Sequence, residues 1–320
     1  MPNAQLAVTT ADSNEYKPIG APPVPSIFDL LAQNPEWAAA PTSSQRASQH
    51  GATCSNMTPT PGSAQRLRIL CLHGYTQNAS VFSKRTAALR KSFKKRADFV
   101  YVTAPLYTAD FDTTGADAED LADVGDEGPR AWFRREEQPV FREWGYDESF
   151  SLLKSVLETQ GPFDGVVGFS QGANMAALLA MRMHPNAPNG PLTTAHPPFR
   201  FAILSSGFVS RDPDLAPLFH APVAPWSIPT LHIWGAADEW VPADRSRDLA
   251  AAFANAVVYE HAGGHFLPTK APDRAVIAEF LDLVVNGETD EPSAAVAGDE
   301  SGCASPSSDG VPVAEHSETR

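Results

Sequence analysis

The sequence predicts an α/β fold, with a mostly parallel central sheet and helices on both of its faces. Short apolar segments alternate along the chain with longer segments whose apolar residues recur at helical spacing. The predicted strands are LRILCL (67–72), DFVYVTA (98–104), FDGVVGF (163–169), FRFAIL (199–204), TLHIW (230–234) and AVVYEH (256–261). In such sheets, ligands bind beyond the carboxyl ends of the strands, so functional residues should directly follow strands.

Apolar spacing also predicts the helices between these strands. The first lies at 81–95, and its apolar face consists of Val81, Phe82, Leu89 and Phe93. The other predicted helices lie at about 147–159, 171–183, 242–254 and 273–285. Strands and helices therefore alternate along the middle of the chain, without an internal repeat.

Composition divides the 320 residues into three segments. Residues 1–63 contain nine prolines and show no sustained period, so we expect most of this segment to be disordered. Within it, Ser26–Ala40 could form a short apolar turn that either docks on the domain or has no role. Residues 287–320 carry eight acidic residues and one basic residue, and we expect a solvated tail. The remaining segment, 64–286, has a suitable length for a single domain.

Charge and cysteine content argue against several classes of function. The net charge of −14 repels phosphate backbones, so we expect no nucleic-acid partner. No apolar run approaches the roughly 20 residues that span a bilayer. Cys54, Cys71 and Cys303 are far apart and odd in number, which disfavours disulfides and a zinc site, and we expect neither metal nor cofactor. No secretory signal is visible, so we expect a cytoplasmic location, with the nucleus as a possible additional one.

The sharpest chemical signal is the sequence Gly168-Phe-Ser170-Gln-Gly172, between a predicted strand and a predicted helix. This is the position of a nucleophile elbow, a tight turn that exposes one serine above the sheet and requires small neighbours. The alternative is a glycine-flanked helix cap without chemistry. A serine hydroxyl also needs a base to take its proton, so partner residues should follow other strands.

Two partner residues follow later strands in the chain order serine, aspartate, histidine that this architecture uses. Asp238 comes shortly after TLHIW, and His265 comes shortly after AVVYEH. We expect His265 to take the Ser170 proton and Asp238 to orient the imidazole. The alternatives to Asp238 are weaker, because Asp244 and Asp248 fall in or at the start of the next predicted helix and the Glu239 side chain points elsewhere. The alternatives to His265 are His232 and His261, which lie in or at the ends of predicted strands.

An attack by serine also needs N–H donors for the oxyanion that develops on the carbonyl. One donor is expected at the backbone of Gln171, where the helix after the serine begins. The second is expected at Tyr75, in the loop 73–78 after the first strand, where Gly74 permits the turn. The alternative for this loop is a plain turn.

Four segments, LCLHGYTQN, GFSQGA, GAADEWVP and HAGGHFLP, together resemble the FSH (family of serine hydrolases) group of α/β-hydrolases. That group includes fungal esterases and the animal ovarian-cancer-gene-2-like hydrolases. The resemblance covers about 67–285, and all three expected triad positions match. It implies an α/β-hydrolase fold and hydrolysis of carboxylic esters, often with longer acyl or alkyl chains. Some fungal members of the group release polyketides as thioesterases.

The irregular stretch 104–143 follows a strand and should overhang the active-site edge of the sheet. Its aromatic residues predict a wall for the acyl chain, with Phe111, Trp132 and Phe133 as candidate substrate-binding residues. The alternative is that each aromatic only packs the loop down. The stretch has eleven acidic residues and four arginines, so repulsion over roughly 8 Å favours neutral esters over acyl-CoA, unless the arginines cancel it locally.

These observations favour a carboxylic ester hydrolase that forms an acyl-serine intermediate on a small-molecule ester, and the resemblance implies a medium or long acyl chain. The second hypothesis is a thioesterase in a biosynthetic pathway, which would use the same residues. The third is a non-catalytic binding module that kept the fold, although the intact Ser170, Asp238 and His265 argue against it.

Overall fold

The computed structural model describes residues 66–108, 124–136, 142–187, 192–220 and 225–286. Its strands are β1 Leu67–Leu72, β2 Ala97–Val102, β3 Leu106–Tyr107, β4 Arg130–Ala131, β5 Arg134–Glu136, β6 Arg142–Trp144, β7 Gly165–Phe169, β8 Phe201–Ser205, β9 Thr230–Gly235 and β10 Ala256–His261. Its helices are α1 Ala79–Arg85, α2 Ala87–Phe93, α3 Tyr146–Gln160, α4 Gln171–Met183, α5 Ala243–Ala250 and α6 Ala271–Asn286. The expectations for Ser26–Ala40, for Phe111 and for both terminal segments lie outside the described residues, and the domain boundaries stay predictions.

The predicted parallel sheet is confirmed. Over the described residues, six strands pair in the order β10-β9-β8-β7-β1-β2, and every neighbouring pair is parallel. Two short antiparallel pairs, β3 with β4 and β5 with β6, lie within the stretch that the sequence predicted to be irregular. The sheet has the α/β-hydrolase arrangement, in which helices cover both faces.

Alternate residues of each strand enter two separate cores, because side chains of a strand point to opposite faces. Leu70 and Leu72 of β1 pack with α4 on one face. Ile69 and Cys71 of the same strand pack with α1, α2 and α6 on the other face. Helix α4, rich in Ala, Leu and Met, is buried along almost its whole length, which fixes the helix that follows β7.

One predicted helix differs from the structure. The segment predicted as a single helix over 81–95 forms α1 and α2, which meet at Thr86. The Thr86 hydroxyl donates to the carbonyl of Phe82, 2.7 Å away, and the backbone leaves helical geometry there. Among the described residues, no helix is both long and apolar enough to cross a membrane.

The chain order within the sheet determines where a cleft can form. From β1 the chain moves outward to β2, and it later returns to place β7 on the other side of β1. The ends of β1 and β7 lie side by side, with Leu72 paired to Gly168. Loops diverge at such a switch point and leave a crevice, so the segments after β1 and β7 share one site.

Candidate active site

Ser170 occupies the turn between β7 and α4. Its backbone has φ of 53° and ψ of −118°, a conformation that residues with a side chain rarely adopt. The turn packs tightly against β1: a Cβ on Gly172 would lie 2.2 Å from the carbonyl oxygen of Leu72, and one on Gly168 would lie 2.3 Å from that of Gly172. Both glycines are therefore needed to hold the strained serine against the neighbouring strand.

A continuous line of hydrogen bonds connects three strand ends. The Ser170 Oγ lies 2.9 Å from His265 Nε2, and His265 Nδ1 lies 2.8 Å from Asp238 Oδ2. Asp238 follows β9 and His265 follows β10, and these two loops pack backbone to backbone. A Cβ on Gly235 would lie 2.2 Å from the carbonyl oxygen of Gly263. The structure thus brings together the three side chains that the sequence nominated, across 95 positions of the chain.

Asp238 is held by more than the histidine. Its Oδ1 accepts from the backbone N–H groups of Trp240 at 3.0 Å and Val241 at 2.8 Å, and its Oδ2 also accepts from the Ser206 hydroxyl at 2.9 Å. Burial by itself would raise the pKa of Asp238, but these hydrogen bonds and the adjacent His265 lower it below its ordinary value. Asp238 is therefore a fixed carboxylate at neutral pH.

Sequence reasoning missed Ser206. It follows β8 directly, has φ of 47°, and donates its backbone N–H to the carbonyl of Ile233, 2.7 Å away in β9. The rule that functional residues follow strands applies to it as well, but two adjacent serines after a strand carry no specific motif. Its hydroxyl orients the carboxylate that orients the histidine.

The two residues that the sequence nominated as oxyanion donors lie in the loop after β1 and at the start of α4. A Cβ on Gly74 would lie 2.9 Å from the Phe169 ring, so the glycine lets this loop approach the nucleophile turn closely. Thr76 has φ of 63°, which turns the chain sharply next to Tyr75. Gln171 is the first residue of α4, and an N–H group at that position has no carbonyl partner inside the helix. Tyr75 and Gln171 both line the cleft at Ser170.

His73 supports this loop from below. It is fully buried, its Nδ1 lies 2.7 Å from the carbonyl of Gly74, and its Nε2 accepts from the N–H of Ala104 at 2.9 Å. Burial lowers the pKa of His73 to about 4, so the ring is neutral at pH 7. This arrangement requires a proton on Nδ1 and a lone pair on Nε2, which fixes the tautomer.

Trp132 differs from the sequence-based expectation of a substrate contact. It is fully buried beneath the cleft, and its Nε1 donates to the carbonyl of His73 at 2.9 Å. The backbone N–H of Trp132 donates to the Gln171 side-chain oxygen at 2.7 Å. The side-chain nitrogen of Gln171 donates to the Phe133 carbonyl at 2.7 Å. Trp132 therefore supports the loop after β1, whereas Phe133 does line the cleft.

The cleft above Ser170 has a volume of about 730 Å³. Its apolar lining includes Phe82, Phe133, Phe169, Phe208 and Leu267. Tyr75, Trp240 and Phe266 are exposed at its mouth. Among the described residues, its charged lining besides His265 consists of Arg85, Arg135 and Arg245, with no carboxylate. The acidic character of the stretch 104–143 does not extend to the described lining.

The alternative histidines and acids lie elsewhere. His232 is buried in the sheet next to Thr230, and burial lowers its pKa to about 3. The His261 ring packs against Phe266 with centroids 4.9 Å apart, and its Nδ1 accepts from the N–H of Gly263. Glu239, Asp244 and Asp248 are exposed.

A parallel sheet with a strained serine after a central strand, followed by an aspartate and a histidine after later strands, defines the α/β-hydrolase class. A sequence model of the FSH1 serine hydrolase family matches residues 62–277, and the chain belongs to that family.

The chain matches two curated relatives over nearly the whole length of each relative. The chain is similar to Esterase OVCA2 of Xenopus tropicalis, with 39% identity over 234 residues, which is 70% of this chain and 97% of the relative. It is also similar to Esterase OVCA2 of Danio rerio, with 37% identity over 231 residues, which is 68% of this chain and 98% of the relative. Among solved structures, the acyl-protein thioesterase 2 of Zea mays matches with a TM-score of 0.47 at 20% identity, covering 71% of this chain and 97% of that one.

Proposed function

We propose that this serine hydrolase cleaves carboxylic esters through an acyl intermediate on Ser170, with His265 as general base and Asp238 as its orienting carboxylate. The observation that carries the proposal is the pair of hydrogen bonds, 2.9 Å and 2.8 Å long, from serine through histidine to aspartate. The names of the OVCA2 esterases support the same reaction class.

The acylation step follows from the order of these atoms. Ser170 Oγ attacks the ester carbonyl carbon, and His265 Nε2 takes the hydroxyl proton. The negative charge that develops on the carbonyl oxygen is stabilised by the N–H groups of Tyr75 and Gln171, each contributing roughly 3 kcal/mol. The tetrahedral species then collapses, the bond to the alcohol oxygen breaks, and His265 returns the proton to that oxygen.

Deacylation uses the same groups in reverse. Water attacks the acyl carbon and gives a proton to His265 Nε2. When the bond to Ser170 Oγ breaks, this proton returns to the serine and the free acid leaves. Throughout both steps, Asp238 keeps the Nδ1 proton of His265 in place, so that Nε2 stays available as the base.

A medium or long acyl chain fits the cleft best. Its volume of about 730 Å³ lies within the range of small-molecule sites. Its lining includes the five aromatic or aliphatic side chains named above. We expect kcat/KM to rise along a series of p-nitrophenyl esters from acetate towards octanoate. A maximum at acetate would contradict this assignment of chain length.

A thioesterase is the second candidate, because the same residues attack a thioester carbonyl equally well. The cationic cleft lining favours this candidate, since carrier-linked and CoA thioesters bring phosphate groups. Comparing an acyl ester with the thioester of the same acyl group separates the two functions.

Labelling with a fluorophosphonate probe tests the catalytic assignment. We expect the wild-type protein to be labelled, and Ser170→Ala and His265→Ala to lose labelling. The matched control is His261→Ala, which removes a nearby histidine outside the relay and should retain labelling. Labelling of Ser170→Ala, or equal loss in both histidine variants, would overturn the proposed roles.

A further inference from the structure

Two arginines flank one aromatic ring on the wall of the cleft. The Arg245 guanidinium carbon lies 4.5 Å from the centroid of the Phe208 ring, and that of Arg135 lies 5.4 Å from it. All three side chains line the same cleft as Ser170. We call Arg135, Phe208 and Arg245 the arginine wall.

Arg135 forms an ion pair with a buried carboxylate. Its Nη2 and Nε lie 2.9 Å and 3.2 Å from Glu143 Oε1, and the Glu143 side chain is wholly buried. The other Glu143 oxygen accepts from the hydroxyls of Tyr146 at 3.1 Å and Ser210 at 2.9 Å, and from the N–H of Arg211 at 3.2 Å. Glu143 is therefore fully occupied, and it compensates one positive charge of the wall.

Arg245 carries the second positive charge. Over the described part of the chain, its guanidinium makes no hydrogen bond or ion pair, and it lies over the Phe208 ring. Burial, then the charges of Arg135 and Arg211, lower the pKa of Arg245, while the carboxylates of Glu143 and Asp244 oppose the shift. An arginine remains protonated at neutral pH in any case, so this charge lies half-buried beside the cleft, without a carboxylate at hydrogen-bond distance among the described residues.

We propose that the arginine wall binds an anionic group, a carboxylate or a phosphate, on the substrate, so that this esterase selects anionic esters. The inference rests on the proposed ester hydrolysis. It reverses the expectation from the acidic stretch 104–143, because a guanidinium in contact with an anion acts at hydrogen-bond distance and offers paired donors. A neutral substrate would leave the Arg245 charge half-desolvated and unpaired.

The anion could belong to either half of the substrate, and two substrate pairs separate these sources. For the acyl half, mono-p-nitrophenyl adipate is compared with p-nitrophenyl hexanoate, which differs by the terminal carboxylate. For the leaving group, hexanoyl-CoA is compared with the N-acetylcysteamine thioester of hexanoate, which lacks the phosphates. The measured quantity is the ratio of kcat/KM for the anionic member to that for the neutral member.

Arg245→Gln is the test variant, because Arg135 cannot be changed without leaving Glu143 buried and unpaired. The matched control is Arg247→Gln, two residues further along α5. The Arg247 guanidinium lies 3.2 Å from Glu260 and over the Trp234 ring, and Arg247 does not line the cleft. Arg245→Lys keeps the charge but loses the paired donors, so it should give an intermediate ratio.

We expect Arg245→Gln to lower the anionic-to-neutral ratio at least about tenfold for one of the two pairs, and Arg247→Gln to leave it unchanged. A fall in the adipate pair assigns the anion to the acyl group, and a fall in the CoA pair assigns it to the leaving group. If Arg245→Gln changes neither ratio, or if Arg247→Gln changes them equally, the inference is overturned.

A binding measurement separates this result from failure of the proposed function. In a Ser170→Ala protein, calorimetry should show that the anionic member of one pair binds at least about tenfold more tightly than the neutral member. Adding Arg245→Gln should remove that difference. Wild-type protein that hydrolyses no member of either pair contradicts ester hydrolysis, whereas equal binding of both members contradicts the role of the arginine wall.

Discussion

The floor of the cleft and its arginine wall are built by different kinds of contact. The floor consists of the turn 168–172, the loop 73–78 and the loops that carry Asp238 and His265. It is fixed by backbone atoms that approach too closely for any side chain, as at Gly172 against Leu72 and at Gly235 against Gly263. In the wall, Arg135 is fixed by the buried Glu143, on which groups from distant segments of the chain converge. Backbone packing of this kind leaves a local sequence signature, whereas convergence of side chains does not.

The largest expected effect tests the floor. Asp238→Asn should lower kcat about 10⁴-fold, because the amide would donate to His265 Nδ1 and leave the proton on Nε2, where a base is needed. Steady-state kinetics on a p-nitrophenyl ester measures the loss. Ser206→Ala, which removes one of the hydrogen bonds to the same carboxylate, should cost less than about tenfold. Equal losses in the two variants would contradict an orienting role for Asp238.

The floor could be predicted from the sequence, whereas the wall could not. The glycines beside Ser170 and the order of Ser170, Asp238 and His265 after successive strands are local patterns that the sequence displays directly. Trp132 shows the limit of this reasoning, since an aromatic residue in a long loop suits a cleft wall and a buried support equally well. The structure shows it buried, with its backbone N–H bonded to the side chain of Gln171, 39 positions away.

The arginine wall could not be predicted from the sequence for a different reason. Glu143 is one of eleven acidic residues in the stretch 104–143, and its composition suggests a solvated surface. Only the fold brings Ser210 and the Arg211 backbone, 67 and 68 positions away, to the same carboxylate. Charge counted along the chain therefore gave the wrong sign for the described lining of the cleft.

The next largest effect tests the wall. Glu143→Gln should lower the free energy of unfolding by about 3 kcal/mol, because it removes the charge opposite Arg135 and leaves buried donors without an acceptor. Urea denaturation measures the change. The control is Glu158→Gln, which removes an exposed carboxylate 3.9 Å from Lys154 and should cost less than about 0.5 kcal/mol. Similar losses in both variants would show that the wall is not held by Glu143.

The third effect, about 1.4 kcal/mol for each pH unit, separates the two regions by their response to acid. His73 in the floor binds its proton near pH 4 when folded, against 6.5 for a free histidine, so between these values the unfolded chain holds more protons. The contribution of His73 to the free energy of unfolding is therefore complete above pH 6.5. It falls as the pH drops towards 4, by about 1.4 kcal/mol per pH unit. Arg245 of the wall stays protonated throughout this range.

His73→Gln keeps an acceptor for the Ala104 N–H but cannot be protonated, so the variant lacks this pH-dependent loss. Its deficit in unfolding free energy relative to wild type should shrink between pH 6.5 and pH 4, as measured by urea denaturation at each pH. His232 provides the comparison within the sheet, since burial lowers its pKa to about 3 and its own pH dependence should persist in the His73 variant. A deficit that stays constant across this range would mean that protonation of His73 does not weaken the floor.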